Sequence, residues 1–252
     1  MKEEKIKTFG LLGKNISYSF SRGYFRDKFQ KLNLKNYSYI NFDIQKLEDF
    51  PKIIKEVENL KGMNVTIPYK EEVLKHLDKL DRTAKKIGAV NTIKFTKRGK
   101  LKGYNSDVVG FENSIKPLLK KHHSKALILG TGGASKAIAF ALKKNQIKCK
   151  FVSRSPRGKK EISYDSLTEE MLQKYTLIIN CTPLGTYPDI KKCPNVPYKY
   201  VTHKHFLFDL IYNPEISTFL SKGREKGATI KNGYEMLELQ AEESWRIWNN
   251  AR

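Results

Sequence analysis

The apolar positions of this 252-residue chain follow two rhythms, and the switch between them divides it. Residues 8–13, Thr-Phe-Gly-Leu-Leu-Gly, read as a short buried strand. Residues 37–42, Tyr-Ser-Tyr-Ile-Asn-Phe, alternate as a half-buried strand does. Between them the spacing predicts a loop and helix over 17–32. Leu47, Phe50, Ile54 and Val57 recur at helical spacing, residues 62–67 form a strand stopped by Pro68, and Val73, Leu74 and Leu77 predict a helix over 70–80. Residues 89–95 and 100–103 read as a hairpin around Lys97-Arg98-Gly99, followed by a helix over 108–119 and a basic connector at 120–125.

From Ala126 the pattern changes. Ala126-Leu-Ile-Leu-Gly130 is apolar throughout and runs into Thr131-Gly-Gly-Ala-Ser135 and a helix to Leu142. Further strands are expected at 148–152, 177–180 and 207–211, and a last helix over 233–248. Apolar strands alternating with helices imply a parallel sheet with crossovers, an α/β architecture.

Composition narrows the class. A chain with 39% hydrophobic and 11% aromatic residues can bury a core and is not disordered. It has no apolar run of eighteen residues, so no membrane span is expected. Met1-Lys-Glu-Glu-Lys-Ile has no apolar stretch of the kind a secretory leader carries. Cys149, Cys181 and Cys193 match no zinc spacing, and the five histidines show no metal motif. We therefore expect a cytoplasmic protein without a metal.

Charge leaves the partner open. Lys and Arg number 48 against 26 Asp and Glu, a net +22. This suits a nucleic-acid binder, an enzyme of anionic small molecules, or a solvated surface. The excess is spread along the chain rather than held in a tail. One acid-free dense stretch contains Lys143, Lys144, Lys148, Lys150, Arg154, Arg157, Lys159 and Lys160. No known nucleic-acid module is recognisable, so no nucleic-acid partner is expected.

A strand, a Gly-rich turn and a helix form either a tight turn or a phosphate cradle, in which backbone N–H groups and a helix N-terminus face a pyrophosphate. The glycines are Gly130, Gly132 and Gly133, followed by Ala134, with Ser135 at the third fingerprint position. An NAD-binding domain usually ends its next strand with an acid, roughly twenty residues on, that bonds the ribose hydroxyls. This chain reads Val152-Ser-Arg-Ser-Pro-Arg157 there, and Arg154 offers a forked donor suited to a 2′-phosphate. NADP(H) is favoured over NAD. Ser153 precedes that arginine, and Arg157 is either a second contact or plain surface.

Three polar clusters stand beside apolar and Gly residues: Gly62-Met-Asn-Val-Thr-Ile-Pro-Tyr-Lys70, Gly88-Ala-Val-Asn-Thr92 and Gly103-Tyr-Asn-Ser-Asp107. With Asn180-Cys-Thr-Pro-Leu-Gly185, Asp209-Leu-Ile-Tyr212 and the segment 233–241, they make the chain resemble the shikimate dehydrogenases almost end to end. The resemblance implies an N-terminal α/β substrate-binding domain, 1–104, completed by the C-terminal helix in 231–252. It implies a Rossmann-like NADP-binding domain at 105–230, with the ligands in a cleft between the two. Ser19 and Ser21 match the family's Ser-x-Ser pair for the substrate carboxylate, and Tyr212 a tyrosine close to it. Thr66, Asn91, Asp107 and Gln240 match positions for the ring hydroxyls, and Asn64 belongs to the same motif. Lys70 and Asp107 match the catalytic pair. Gly130, Gly132, Gly133 and Ala134 match the pyrophosphate loop. Thr182, Leu184, Gly233 and Met236 match positions near the nicotinamide; Met236 is equally readable as core. Tyr18 and Arg22 depart from the usual His and Pro of the serine loop.

The implied reaction is the interconversion of 3-dehydroshikimate and shikimate, a step of aromatic amino-acid biosynthesis. Lys70 serves as proton donor in reduction and base in oxidation, and Asp107 holds Lys70 and a substrate hydroxyl. A quinate or dual-specificity dehydrogenase is the nearest alternative. A basic nucleic-acid-binding protein and an inactive NADP-binding regulator are alternatives of other classes. The expected partner is a small-molecule substrate, and the protein is expected to act as a monomer or homodimer.

Overall fold

The apolar run at the start of the chain becomes β1 (Lys7–Gly13), buried from Thr8 onward. The computed structural model describes residues 5–17 and 19–250. They form two compact units, one running to Ser106 and resumed from Ala241, the other spanning Asp107–Gln240. The divisions fall at 106/107 and 240/241, against 104/105 and 230/231 in the sequence reading.

In the first unit β1 is followed by α1 (Phe20–Lys31), β2 (Tyr37–Asp43), α2 (Phe50–Glu56), β3 (Leu60–Val65), β4 (Lys79–Leu80), α3 (Arg82–Ile87), β5 (Thr92–Phe95) and β6 (Leu101–Tyr104). Its mixed sheet has the order β2-β1-β3-β5-β6-β4. β1 runs parallel to β2 and β3, whereas β5 is antiparallel to both β3 and β6. Alternation sends Leu12, Phe42, Met63 and Ile93 into one core with Phe50 and Val73. Phe9, Leu11 and Tyr39 enter a second core with Phe25, Phe29 and Trp248.

The helix expected over 70–80 is instead a 3-10 turn, Glu72–His76, followed by β4. Asp78 is the cause. Its backbone N–H donates to the Leu101 carbonyl at 3.0 Å, and its carboxylate accepts from the Leu101 N–H at 2.7 Å. That exchange turns the chain onto the edge of β6, where Lys79 and Leu80 pair with Lys102 and Gly103.

The second unit holds α4 (Asp107–Ile115), β7 (Lys125–Leu129), α5 (Gly133–Lys144), β8 (Lys148–Val152), β9 (Glu161–Ile162), α6 (Glu169–Lys174), β10 (Leu177–Asn180), β11 (Phe206–Asp209), α7 (Thr218–Glu225), β12 (Thr229–Lys231) and the start of α8 (Tyr234–Asn249). Every strand pairing is parallel, in the order β12-β11-β10-β7-β8-β9. This is the doubly wound arrangement, with its strand order reversing between β7 and β10. In such sheets ligands bind outside the carboxyl ends of the strands at that reversal.

The last turns of α8 belong to the first unit. Trp248 Nε1 donates to the Ile93 carbonyl at 3.0 Å, and a Cβ on Gly62 would lie 2.3 Å from the same nitrogen. Gly62 is thus required by the close approach of the helix to β3. No helix among the described residues is long and apolar enough to cross a membrane.

Candidate active site

Register decides which loops of the first unit meet. β1 and β3 are parallel, with Leu12 beside Val65, so the segments following them leave the sheet together. β5 runs the other way, with Asn64 opposite Thr92, so its beginning lies beside the end of β3. β6 reverses again, with Thr92 opposite Tyr104. The Ser19 and Ser21 segment, the Thr66 to Lys70 segment, Asn91 and the approach to Asp107 therefore gather at one end of this sheet.

Hydrogen bonds fix that end. The Val65 N–H donates to the Asn91 carbonyl at 2.8 Å, and the Val90 N–H donates to the Lys70 carbonyl at 2.7 Å. The Thr66 N–H reaches the Leu12 carbonyl at 2.9 Å, and a Cβ on Gly13 would lie 2.5 Å from the Thr66 methyl. Lys70 and Thr66 are half-buried.

Beneath them runs a buried polar chain. Ser21 bonds to the Tyr39 hydroxyl, which burial pushes well above the usual phenol range. Tyr39 donates to Asn64 Oδ1 at 2.8 Å. Asn64 Nδ2 donates to Ser244 Oγ at 2.8 Å and to the Asn91 carbonyl at 3.3 Å. Ser244 Oγ lies 2.8 Å from Thr92 Oγ1 and 3.0 Å from Ser106 Oγ. Asn91 closes the network, donating to Ser106 Oγ at 2.9 Å and accepting the Ser106 N–H at 2.7 Å. Ser19 caps α1, its hydroxyl accepting the Arg22 N–H at 3.3 Å. Ser19 and exposed Arg22 border a concavity of about 800 Å³. Tyr18 lies outside the described residues.

In the second unit Asp107 is the first residue of α4 and is buried. Gly110, one turn on, shares its face. A Cβ on Gly110 would sit 2.7 Å from the Met236 carbonyl and 2.9 Å from Gln240 Cβ, so the two helices touch there through backbone. Gln240 and Met236 are both buried, one turn apart on α8. Gly233 precedes them, its N–H donating to the Ile211 carbonyl at 3.1 Å, and a Cβ there would lie 2.3 Å from the Leu210 carbonyl. Tyr212 is half-buried, and burial raises its hydroxyl pKa.

The glycine turn lies at the carboxyl end of β7. Gly130 has φ 103°, and its N–H donates to the Val152 carbonyl at 2.9 Å, fastening the turn to the end of β8. Ser153 and Arg154 follow directly, with Arg154 exposed. Gly132 starts α5 with no side-chain cap, the first turn of that helix has no acid, and a Cβ on Gly132 would meet nothing within 4 Å. Open space over uncapped N–H groups, with Gly133 and Ala134 opening the helix, fits a pyrophosphate; an arginine at the neighbouring strand end fits a 2′-phosphate. These residues fit NADP(H). Arg157 is exposed, and its backbone N–H is held by Glu161 at 2.9 Å. The third turn, after β10, carries Thr182 and Leu184: Thr182 donates to Asn180 Oδ1, and its hydroxyl accepts the Leu184 N–H at 3.3 Å.

The register thus brings the first-unit candidates to one sheet end, and Gly130 to Ala134, Ser153, Arg154, Thr182 and Leu184 follow the carboxyl ends of β7, β8 and β10, whereas Gly233 and Met236 lie at the start of α8. Sequence reasoning missed Tyr39, Thr92, Ser106 and Ser244, which reads as an ordinary helical serine. It also missed Asp209, which sits in the quoted Asp-Leu-Ile-Tyr segment. Asp209 is fully buried, and burial pushes its carboxyl up to about 6 against the pull of its hydrogen bonds.

A family model described as the shikimate dehydrogenase substrate binding domain matches residues 11–93. Over 98% of its length the chain is 36% identical to a protein of Methanococcus vannielii named shikimate dehydrogenase (NADP(+)), covering 93% of that protein. It is 38% identical, over 98% of its length and 92% of the relative, to a protein of the same name from Caldanaerobacter subterraneus. Among solved structures it resembles the shikimate 5-dehydrogenase of Thermus thermophilus in complex with NADP(H) and shikimate. The TM-score there is 0.85 and the identity 31%, over 97% of this chain and 94% of the other.

Proposed function

The chain belongs to the shikimate dehydrogenase family, and on that premise we propose that it interconverts 3-dehydroshikimate and shikimate with Lys70 and Asp107 as its catalytic pair. It is an NADP-dependent oxidoreductase. The first unit takes the substrate and the second the cofactor. When bound, NADPH supplies the hydride that reduces the C3 ketone. Lys70 Nζ gives a proton to the C3 oxygen in reduction and removes it in oxidation, and its positive charge stabilises the oxygen as negative charge develops. Asp107 accepts from the Lys70 ammonium and from a ring hydroxyl. Ser19, Ser21 and Tyr212 face the substrate carboxylate; Thr66, Asn91 and Gln240 face the ring hydroxyls. Asn64 spends its carboxamide inside the protein, so it acts by holding the Asn91 segment rather than by touching substrate. Gly130, Gly132, Gly133 and Ala134 cradle the pyrophosphate, and Arg154, assisted by Ser153 and Arg157, takes the 2′-phosphate. Thr182, Leu184, Gly233 and Met236 border the nicotinamide.

One observation carries the reading of the reacting end. The loop bearing Lys70 is bonded at its carbonyl by Val90, the neighbouring Asn91 side chain is bonded by Ser106, and Ser106 leads directly into Asp107. Lys70, Asn91 and the approach to Asp107 are therefore held as one piece. In this reading the protein works in the cytoplasm on a small molecule, without a nucleic-acid partner, as a monomer or homodimer. Mixing it with shikimate and NADP⁺ tests the activity: NADPH absorbance should appear, and none at high protein concentration refutes it. Parallel assays with quinate decide the specificity.

A further inference from the structure

The second unit contains a buried carboxylate to which the reaction above gives no task. Asp209 ends β11 and is fully buried. Its Oδ1 accepts from Asn180 Nδ2 at 3.0 Å and from the Ile211 N–H at 3.0 Å, and its Oδ2 accepts from the Ser217 hydroxyl. An ionised carboxylate can only accept, so Asn180 must turn its NH₂ toward Asp209. Its carbonyl oxygen is then compelled to face the other way. There Asn180 Oδ1 takes both the Thr182 N–H at 3.0 Å and the Thr182 hydroxyl proton at 2.7 Å. Having given away its proton, the Thr182 oxygen presents a lone pair to the Leu184 N–H at 3.3 Å. The polarity of each bond follows from the one before. The far end of this chain packs against the glycine turn, where a Cβ added at Gly130 would lie 3.3 Å from the Thr182 methyl.

We propose that Asp209 is a positioning residue for the cofactor site, setting through Asn180 the conformation of the Thr182 to Leu184 turn on which the nicotinamide end of NADP(H) rests. The inference rests on the cofactor reading given above. Asp209 touches no ligand itself; it acts by fixing which way the Asn180 carboxamide points. With an apolar side chain at that position the buried Asn180 NH₂ would lose its acceptor, and the carboxamide would be held from the Thr182 side alone.

The test uses the full-length protein carrying Asp209→Leu, Asp209→Asn, Asn180→Leu or the Asp209→Leu/Asn180→Leu pair. Asn at 209 keeps an acceptor for Asn180 and Ile211 and can donate to Ser217, so it should preserve the relay. Leu removes it. Two readouts are made on folded protein, with folding checked by thermal melting. Amide hydrogen exchange without cofactor should quicken at Thr182 and Leu184 in Asp209→Leu and remain near wild type in Asp209→Asn. NADPH titrated by its fluorescence should bind Asp209→Leu about tenfold more weakly, a loss matching one severed hydrogen bond, and bind Asp209→Asn within about threefold of wild type. Asn180→Leu should weaken binding equally, and the pair no more than either alone, because the two residues act in series. Additive losses, equal behaviour of the Asn and Leu variants at 209, or unchanged binding by a folded Asp209→Leu overturn the proposal. If Asp209→Leu does not fold, Asn180→Leu decides by the same exchange and binding criteria. Wild-type protein that binds no NADPH removes the cofactor reading itself and the proposal with it. Wild type that binds NADPH but does not turn over shikimate refutes only the assigned reaction.

Discussion

Ser244 of the returning helix places its hydroxyl 2.8 Å from the carboxamide nitrogen of Asn64, joining the last helix to β3 of the first unit. The same carboxamide takes the Tyr39 hydroxyl proton at 2.8 Å. Asn64 is 3% exposed, so neither partner has water as a substitute. Replacing Asn64 with Ala leaves the buried Tyr39 phenol proton without its acceptor and takes one donor from Ser244, which keeps Thr92 and Ser106. An unsatisfied buried polar group costs about 1–3 kcal/mol. Asn64→Ala should therefore lower the urea midpoint, and Asn64→Asp should fare no better because a carboxylate cannot donate to Ser244. A midpoint equal to wild type in both would show that the network does not stabilise the unit.

Lys70 is expected to act on the rate rather than on binding. Its ammonium supplies a proton and charge that matter most as the C3 oxygen becomes negative. Loss of a positioned acid or base typically lowers kcat by roughly 10²–10⁴-fold. For Lys70→Ala, steady-state kinetics should show that fall in kcat with the KM for shikimate moving only a few-fold. A variant with the wild-type kcat would remove Lys70 from the chemistry.

The cofactor preference should reside in Arg154. The Gly130 N–H fastens the glycine turn to the end of β8, directly before Ser153 and Arg154, so the arginine is placed by the backbone rather than by its own contacts. Removing one charge-assisted contact to a 2′-phosphate should raise the KM for NADP⁺ about tenfold. NAD⁺ lacks that phosphate and should be used no worse by Arg154→Ala. A parallel rise for both cofactors would place Arg154 elsewhere in binding, and a rise confined to Arg157→Ala would transfer the role to that residue.

Much of this was legible because the informative residues obey local rules. The glycine turn shows itself by an apolar strand before it and a helix after it, and Arg154 by its distance from that turn. The segments 62–70, 88–92 and 103–107 stand out as polar groups set among apolar and Gly residues. What stayed hidden depends on partners distant in sequence. Tyr39 alternates like any strand residue, yet it bonds residue 64; Ser244 reads as a helical surface position, yet it bonds residues 64, 92 and 106. The apolar spacing over 70–80 suggested a helix because Val73, Leu74 and Leu77 do pack into a core. Asp78 nevertheless ends that turn by pairing with Leu101, more than twenty positions away.

Gly110 should be intolerant of any side chain for a reason tied to substrate. Its missing Cβ lets α4 lie against the Met236 carbonyl and the Gln240 backbone, with the nearest atoms of a built Cβ at 2.7–3.0 Å. Two of those three atoms are backbone and cannot rotate away, so Gly110→Ala must push the helices apart. Forced overpacking of this kind costs about 1–3 kcal/mol. Because Gln240 is one of the displaced residues, the KM for shikimate should rise along with the fall in melting temperature. A variant with lower stability but an unchanged shikimate KM would separate Gln240 from the substrate.

Acid stability should reflect two opposed sets of buried groups in the second unit. His205 accepts the Thr202 N–H at Nδ1, 3.0 Å away, and lies 3.0 Å from the Leu172 carbonyl at Nε2; His123 likewise accepts the Lys120 N–H and faces the Lys204 carbonyl. Each neutral ring uses both nitrogens, and a second proton would displace a backbone donor. Burial lowers both pKa values below the ordinary 6.5, so the stability they provide is complete above that pH and drains away as pH falls below it. Asp209 has the opposite sign. Its pKa is raised from 3.8 to about 6, so its contribution is complete below 3.8 and is lost as pH rises through 6. On acidification from about pH 7.5 to about pH 5 the protein therefore loses stability at the histidines and regains part of it at Asp209. Asp209→Asn abolishes the regain while keeping the acceptor for Asn180 and Ile211 and reversing the bond to Ser217. Its urea midpoint should drop more than that of wild type between those two pH values, while at the higher pH it should be no less stable, since no charge is then buried. An identical pH dependence in the two proteins would mean that Asp209 does not titrate in this range.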